Sequence, residues 1–109
     1  MNEKEKELHR IVDVVISCCA TKDKNGRCEI SREDVLGKTR TENVVMTRCI
    51  LVVQILRQGY SLTTIASLLG RTVQAVRHII ASDKIYNTIS RAYRIASEEA
   101  KKMLLTGDG

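Results

Sequence analysis

The stretch Ser61-Leu-Thr-Thr-Ile-Ala-Ser-Leu-Leu-Gly-Arg-Thr-Val-Gln-Ala-Val-Arg-His-Ile-Ile80 constrains this chain more than any other. Leu62, Ile65, Ala66 and Leu69 fall at helical spacing. Gly70 interrupts the pattern, and Val73, Val76, Ile79 and Ile80 resume it. Two helices meeting at a glycine, with a small Ala66 before the bend and Val76 beyond it, follow the logic of a helix-turn-helix over residues 61–81. Ala66 lets the helices approach, Gly70 supplies the left-handed residue that ends the first one, and Val76 fills the angle between them.

With Val73, Val76 and Ile80 turned to the core, Arg71, Thr72, Gln74, Ala75, Arg77 and His78 are left for a partner. A helix so exposed suits the major groove of DNA. Arg71 matches guanine and Gln74 matches adenine through paired hydrogen bonds, and Thr72 and Ala75 suit a thymine methyl. Arg77 and His78 lie further along and are expected at phosphates. A histidine at such a position is also an ordinary surface residue. Ser61, Thr63 and Thr64 open the first helix, where free backbone N–H groups and hydroxyls can hold a phosphate. Ordinary helix capping explains the same three residues.

Charge distribution supports a polyanion partner. The net charge is +5. Residues 1–42 carry nine acids and nine bases, whereas residues 43–82 carry no acid and four arginines, Arg48, Arg57, Arg71 and Arg77. The excess is thus centred on the helix-turn-helix.

The rest of the chain reads as one all-α domain spanning 1–109, with about six helices and a core of Ile, Leu, Val, Cys and Met. Proline is absent and the aromatics are three tyrosines. A charged lead-in, 1–7, enters a first helix from about Glu5 to Cys19 or Ala20. A polar loop, 21–30, follows; it lacks the ligand spacing and terminal Glu of a calcium loop, and Cys28 to Ile30 suits a short extended piece. Ser31 caps a short helix ended by Gly37, and a basic loop spans 36–41. Lys38, Thr39 and Arg40 on that loop can reach a phosphate or a minor groove that a helix cannot enter. Asn43 is placed to cap the longest apolar helix, which runs to Arg57 or Gln58 and carries Arg48 one turn in. Ser82 is expected to cap a last helix reaching about Leu104, with a stripe of Ile85, Ile89, Ala92, Tyr93, Ala96 and Ala100. Residues 106–109 read as a frayed tail.

Cys18, Cys19, Cys28 and Cys49 form no CxxC pair, and His9 and His78 stand at no zinc-ligand spacing from them. Reduced thiols in a cytoplasmic protein are expected, with no metal and no cofactor; the neighbours Cys18 and Cys19 leave a redox role open. No apolar run is long enough to span a membrane, and no secretory signal is read. Asp13, Glu33 and Asp34 make no arguable paired-carboxylate site and neither histidine has a nucleophile arrangement, so no enzyme is expected.

Between Leu8 and Ile80, and most closely from Asp34, the chain resembles the C-terminal DNA-binding domain of the bacterial replication initiator DnaA. The shared features are the lead helix, the Asp34-Val-Leu36 helix, the basic loop, a long helix with an early arginine, Ser61-Leu62-x-x-Ile65 and Gly70-Arg71. The resemblance implies a Trp-repressor-like helix-turn-helix in the major groove with the Lys38–Arg40 loop in the neighbouring minor groove. It places Arg48 at a phosphate. The family signature Gly-Arg-Asp-His-Thr-Thr-Val stands here as Gly70-Arg-Thr-Val-Gln-Ala-Val76, so the base-reading positions differ. No GxxxxGK[ST] occurs, so no nucleotide partner and no ATPase are expected.

The function expected is sequence-preferring double-stranded DNA binding, as an origin-binding-like accessory factor or a transcriptional regulator. The alternative is a helical protein–protein interaction module that uses the helix-turn-helix only as scaffold. The small residues Ala92, Ala96 and Ala100 leave room for a second copy or a protein partner on the C-terminal helix.

Overall fold

The computed structural model describes residues 2–19 and 30–105. Residues 21–29 of the expected polar loop, including Cys28, and the expected frayed tail lie outside them. The described chain is all-helical, with six helices in the order α1 (Glu3–Cys19), α2 (Arg32–Leu36), α3 (Glu42–Arg57), α4 (Leu62–Leu69), α5 (Val73–Ile89) and α6 (Arg91–Leu105).

The long apolar helix is the axis of the fold, and α3 packs against each of the other five. Its Cys49 to Ile55 run is buried on every side, including the polar Gln54. A helix apolar around its whole circumference requires partners all round. α1 supplies Ile11, Val12 and Val15 from one face, and α6 closes over it with Tyr93, Ala100 and Leu104. Small Ala100 is fully buried, which allows the α1–α6 approach. Ile30 is buried just before Ser31, and no strand occurs among the described residues.

Local signals fix the helix ends. Asn2 Oδ1 accepts from Glu5 N at 2.8 Å, so the charged lead-in is already helical from Glu3. Ser31 accepts from Asp34 N, and Ser61 from Thr64 N. α3 starts one residue before the expected Asn43, with Thr41 at the cap position and no side-chain cap bond. At Gly70 the chain turns left-handed (φ 61°); Arg71 N donates to Ala66 O and Gly70 N to Ser67 O, the paired bonds of a Schellman end.

Two expectations about the last third are corrected. Ser82 caps nothing; its hydroxyl donates back to His78 O inside an unbroken α5, a bond serine makes readily in mid-helix. The break comes at Ser90. Its N–H still donates to Tyr86 O while its side chain accepts from Tyr93 N, so one residue closes α5 and opens α6. Arg94 holds the corner by donating to Asn87 O at 2.6 Å. The expected stripe is therefore split: Tyr93 and Ala100 are core, whereas Ile85 and Ile89 are exposed on α5. No described helix is long and apolar enough to cross a membrane.

Candidate nucleic-acid interface

α4, the Gly70–Thr72 turn and α5 form the expected helix, turn and helix. Ile65, Ala66, Leu69 and Val76 are buried in the contact between the two helices and α3. Thr72 caps α5, its hydroxyl accepting from Ala75 N at 3.1 Å. That bond fixes the first turn of α5 and leaves the exposed Gln74, Arg77 and His78 on its outer side.

The basic loop is fastened to this unit by arginines. Arg48 is 4% exposed. Its Nε donates to Val35 O at 2.7 Å, and its Nη2 to Asp34 O and Thr39 O at 2.8 and 2.9 Å. It thus ties the end of α2 and the loop to α3. Arg71 reaches from the turn to Gly37, Nη2 donating to its carbonyl at 2.9 Å. Gly37 has no room for a side chain, because a Cβ there would lie 2.6 Å from Glu33 O. Thr39 is held through its hydroxyl on Asp34 Oδ1 at 3.3 Å. Lys38 and Arg40 remain exposed.

These bonds give two of the expected site residues a structural task. Arg48, which the resemblance places at a DNA phosphate, has its guanidinium buried and bonded to three carbonyls, where it shapes the loop. Arg71, a residue suited to a base edge, is half-buried and bridges the turn to the loop. Burial, and then the Arg71 charge, lowers the pKa of Arg48 from its ordinary value. The two guanidiniums therefore sit close enough to repel, and neither forms an ion pair among the described residues.

Between loop and helix lies an open groove of about 740 Å³. Lys38, Arg40, Arg48 and Arg71 contribute its cations, and no carboxylate lines it. Thr72, Ala75, Ile79, Ser82 and Tyr86 form one wall along α5. A helix break expected at Ser82 hides Ser82 and Tyr86 from a sequence pattern, because their spacing from Thr72 and Ala75 marks one face only if α5 is continuous. Behind the wall, Tyr86 packs on Tyr93 with ring centroids 5.3 Å apart. Tyr93 donates to Asp83 Oδ1 at 2.5 Å and lies 3.2 Å from Cys49 Sγ, whose thiol donates to Ile79 O.

Ser61, Thr63 and Thr64 are not brought into this groove. Ser61 and Thr64 line a separate depression with Lys4 and Glu7 of α1. Ser61 Oγ and Thr64 Oγ1 are hydrogen-bonded to each other at 3.0 Å. Glu7 beside this helix start opposes a phosphate, and Lys4 favours one.

The remaining reactive groups are quiet. Cys18, Cys19 and Cys49 are free thiols. Burial pushes Cys19 and Cys49 up to about 11 and raises Cys18 as well, which suppresses the reactive thiolate. Among the described residues no three potential metal ligands come together.

The class defined here is a small all-α domain carrying a helix–turn–helix unit with a basic loop fastened beside it. No protein-family model, no curated protein and no solved structure matches the chain.

Proposed function

We propose that this chain binds double-stranded DNA with sequence preference. Gln74, Arg77 and His78 on α5 face the major groove, and Lys38 and Arg40 take the adjacent minor groove or its phosphates. The observation that carries this reading is the Arg71–Gly37 bond, together with the Arg48 bonds, which hold helix and loop as one basic surface without an acid between them. Two rigidly spaced contacts of unlike type suit two neighbouring grooves. In this reading Arg71 and Arg48 position the loop, Thr72 and Ala75 set the start of α5, and Gln74 reads a base. DnaA-like origin binding or transcriptional regulation, without ATP hydrolysis, is the role consistent with the resemblance described above.

The test is a duplex titration at several salt concentrations. Random duplex should bind at low salt and release steeply as salt rises. Selection from a random duplex library should then enrich a defined site. Absence of a salt-sensitive shift at low salt overturns the proposal.

One observation favours a second reading, a protein-interaction module. Ile85, Ile89, Ile95 and Leu105 are 55–71% exposed on the α5–α6 corner and α6. Exposed large aliphatic side chains are candidates for contact with a protein partner. Concentration-dependent association without DNA binding would select that reading.

A further inference from the structure

We propose that the groove between the 37–40 loop and α5 is a binding site for a small organic phosphate, the oxyanion held among the loop and turn cations and its apolar body lying along α5. This goes beyond DNA binding and does not depend on it.

The first ground is uncompensated charge. Arg48 and Arg71 are brought together with only backbone carbonyls as partners, and Lys38 and Arg40 stand at the same groove. Asp34 and Asp83 are bonded to neighbouring side chains, but neither lines it. Like charges gathered in a partly desolvated site are relieved by an anion. A doubly charged phosphate suits Lys38, Arg40 and Arg71, with the Arg48 charge behind them, better than a single carboxylate does.

The second ground is an unmet donor. Arg71 Nε is buried and has no hydrogen-bond partner, although Nη2 of the same guanidinium is used. Buried donors are normally satisfied, and a shift of the Arg71 side chain toward a bound oxyanion would give this one an acceptor.

The third ground is shape. The groove volume falls within the range of small-molecule sites. Besides the cations, Val45, Ala75, Ile79 and the Tyr86 ring contribute apolar surface to the lining. Tyr86 is braced by Tyr93, which Asp83 holds in turn, so this wall is preformed. A DNA backbone phosphate supplies the same oxygens but no apolar body to cover that wall. Ligand in the groove would sit against the loop and the first turns of α5, where it would alter DNA affinity.

Calorimetric titration with phenyl phosphate and with inorganic phosphate, at fixed ionic strength, tests this. Phenyl phosphate should bind saturably, about tenfold tighter than inorganic phosphate, from burial of its ring. Arg71→Gln should weaken phenyl phosphate at least about tenfold by removing a charge-assisted partner. Ala75→Phe, which removes no polar group and fills the groove, should abolish binding of phenyl phosphate while leaving helical circular dichroism intact. Equal affinity for the two phosphates overturns the organic ligand and leaves only a phosphate site of the kind DNA could occupy. Binding that neither variant changes, or no saturable binding, overturns the site. A parallel duplex titration reports DNA binding separately, so either result can fail alone.

Discussion

The four arginines of the acid-free segment divide into two unlike pairs. Arg48 and Arg71 turn inward and give their guanidinium N–H groups to carbonyls of the α2 end and the loop. Arg57 and Arg77 lie exposed on α3 and α5. All four enter the net charge equally, but they do different work. The inward pair uses the planar fork of the guanidinium to fix backbone that has no regular hydrogen-bonding of its own. The outward pair contributes charge, screened by salt and available to a partner. A basic segment is therefore partly a construction device, and counting its charges overstates what DNA can meet.

The comparison breaks most visibly at Arg48. Arg48→Ala strands three carbonyls and should lower the unfolding free energy by about 3 kcal/mol. Arg48→Lys should recover little of it, because an ammonium cannot make the divergent bonds of the fork. Urea unfolding of both variants measures this. If Arg48→Ala kept its stability and lost only DNA affinity, Arg48 would belong with the outward pair.

Much of the scaffold was legible in the sequence because its signals are local. Ser31, Ser61 and Gly70 act at the helix ends as their residue types require, and the periodicity around Val76 placed the turn. The inward arginines were illegible for a physical reason. Their acceptors are backbone carbonyls, which every residue carries, so no side-chain pattern announces them. Ser82 misled because serine serves equally as a cap and as a back-bonding residue within a helix. Ser90, which does open α6, follows the β-branched Thr88 and Ile89 and carries no glycine or proline beside it.

The inward class includes a neutral member that pH can expose. Cys49 is 1% exposed, and burial pushes its thiol from an ordinary 9.0 to about 11. A raised pKa means that the folded state keeps its proton after the unfolded chain has lost it. The contribution is fully present below pH 9 and is lost as pH rises through about 11, with a size of about 3 kcal/mol. Tyr93, also raised by burial and its bond to Asp83, acts in the same direction at higher pH. Denaturant unfolding between pH 8 and about 11 should show a steeper alkaline decline for the parent chain than for Cys49→Ala. Equal slopes would remove Cys49 from the buried titrating groups.

The outward surface is tested by binding. Gln74 is exposed on the first turn of α5, so Gln74→Ala should leave stability within about 0.5 kcal/mol. Its cost should instead appear at one base pair of the selected site, roughly 1–2 kcal/mol, with preference there relaxed. Equal losses on the selected site and on random duplex would end its base-reading role.

Arg77→Ala should have the smallest effect and the most uniform one. Arg77 is exposed on α5, one turn beyond Gln74, and as a phosphate contact it carries no sequence information. All duplexes should weaken alike, by at most about 1 kcal/mol at moderate salt, and the slope of log affinity against log salt should become shallower by about 0.9. Stability should not move, which separates Arg77 from Arg48 although both are arginines of the same acid-free segment. A change in base preference without a change in salt slope would instead make Arg77 a reader, and the outward surface would then distinguish bases over two turns of α5.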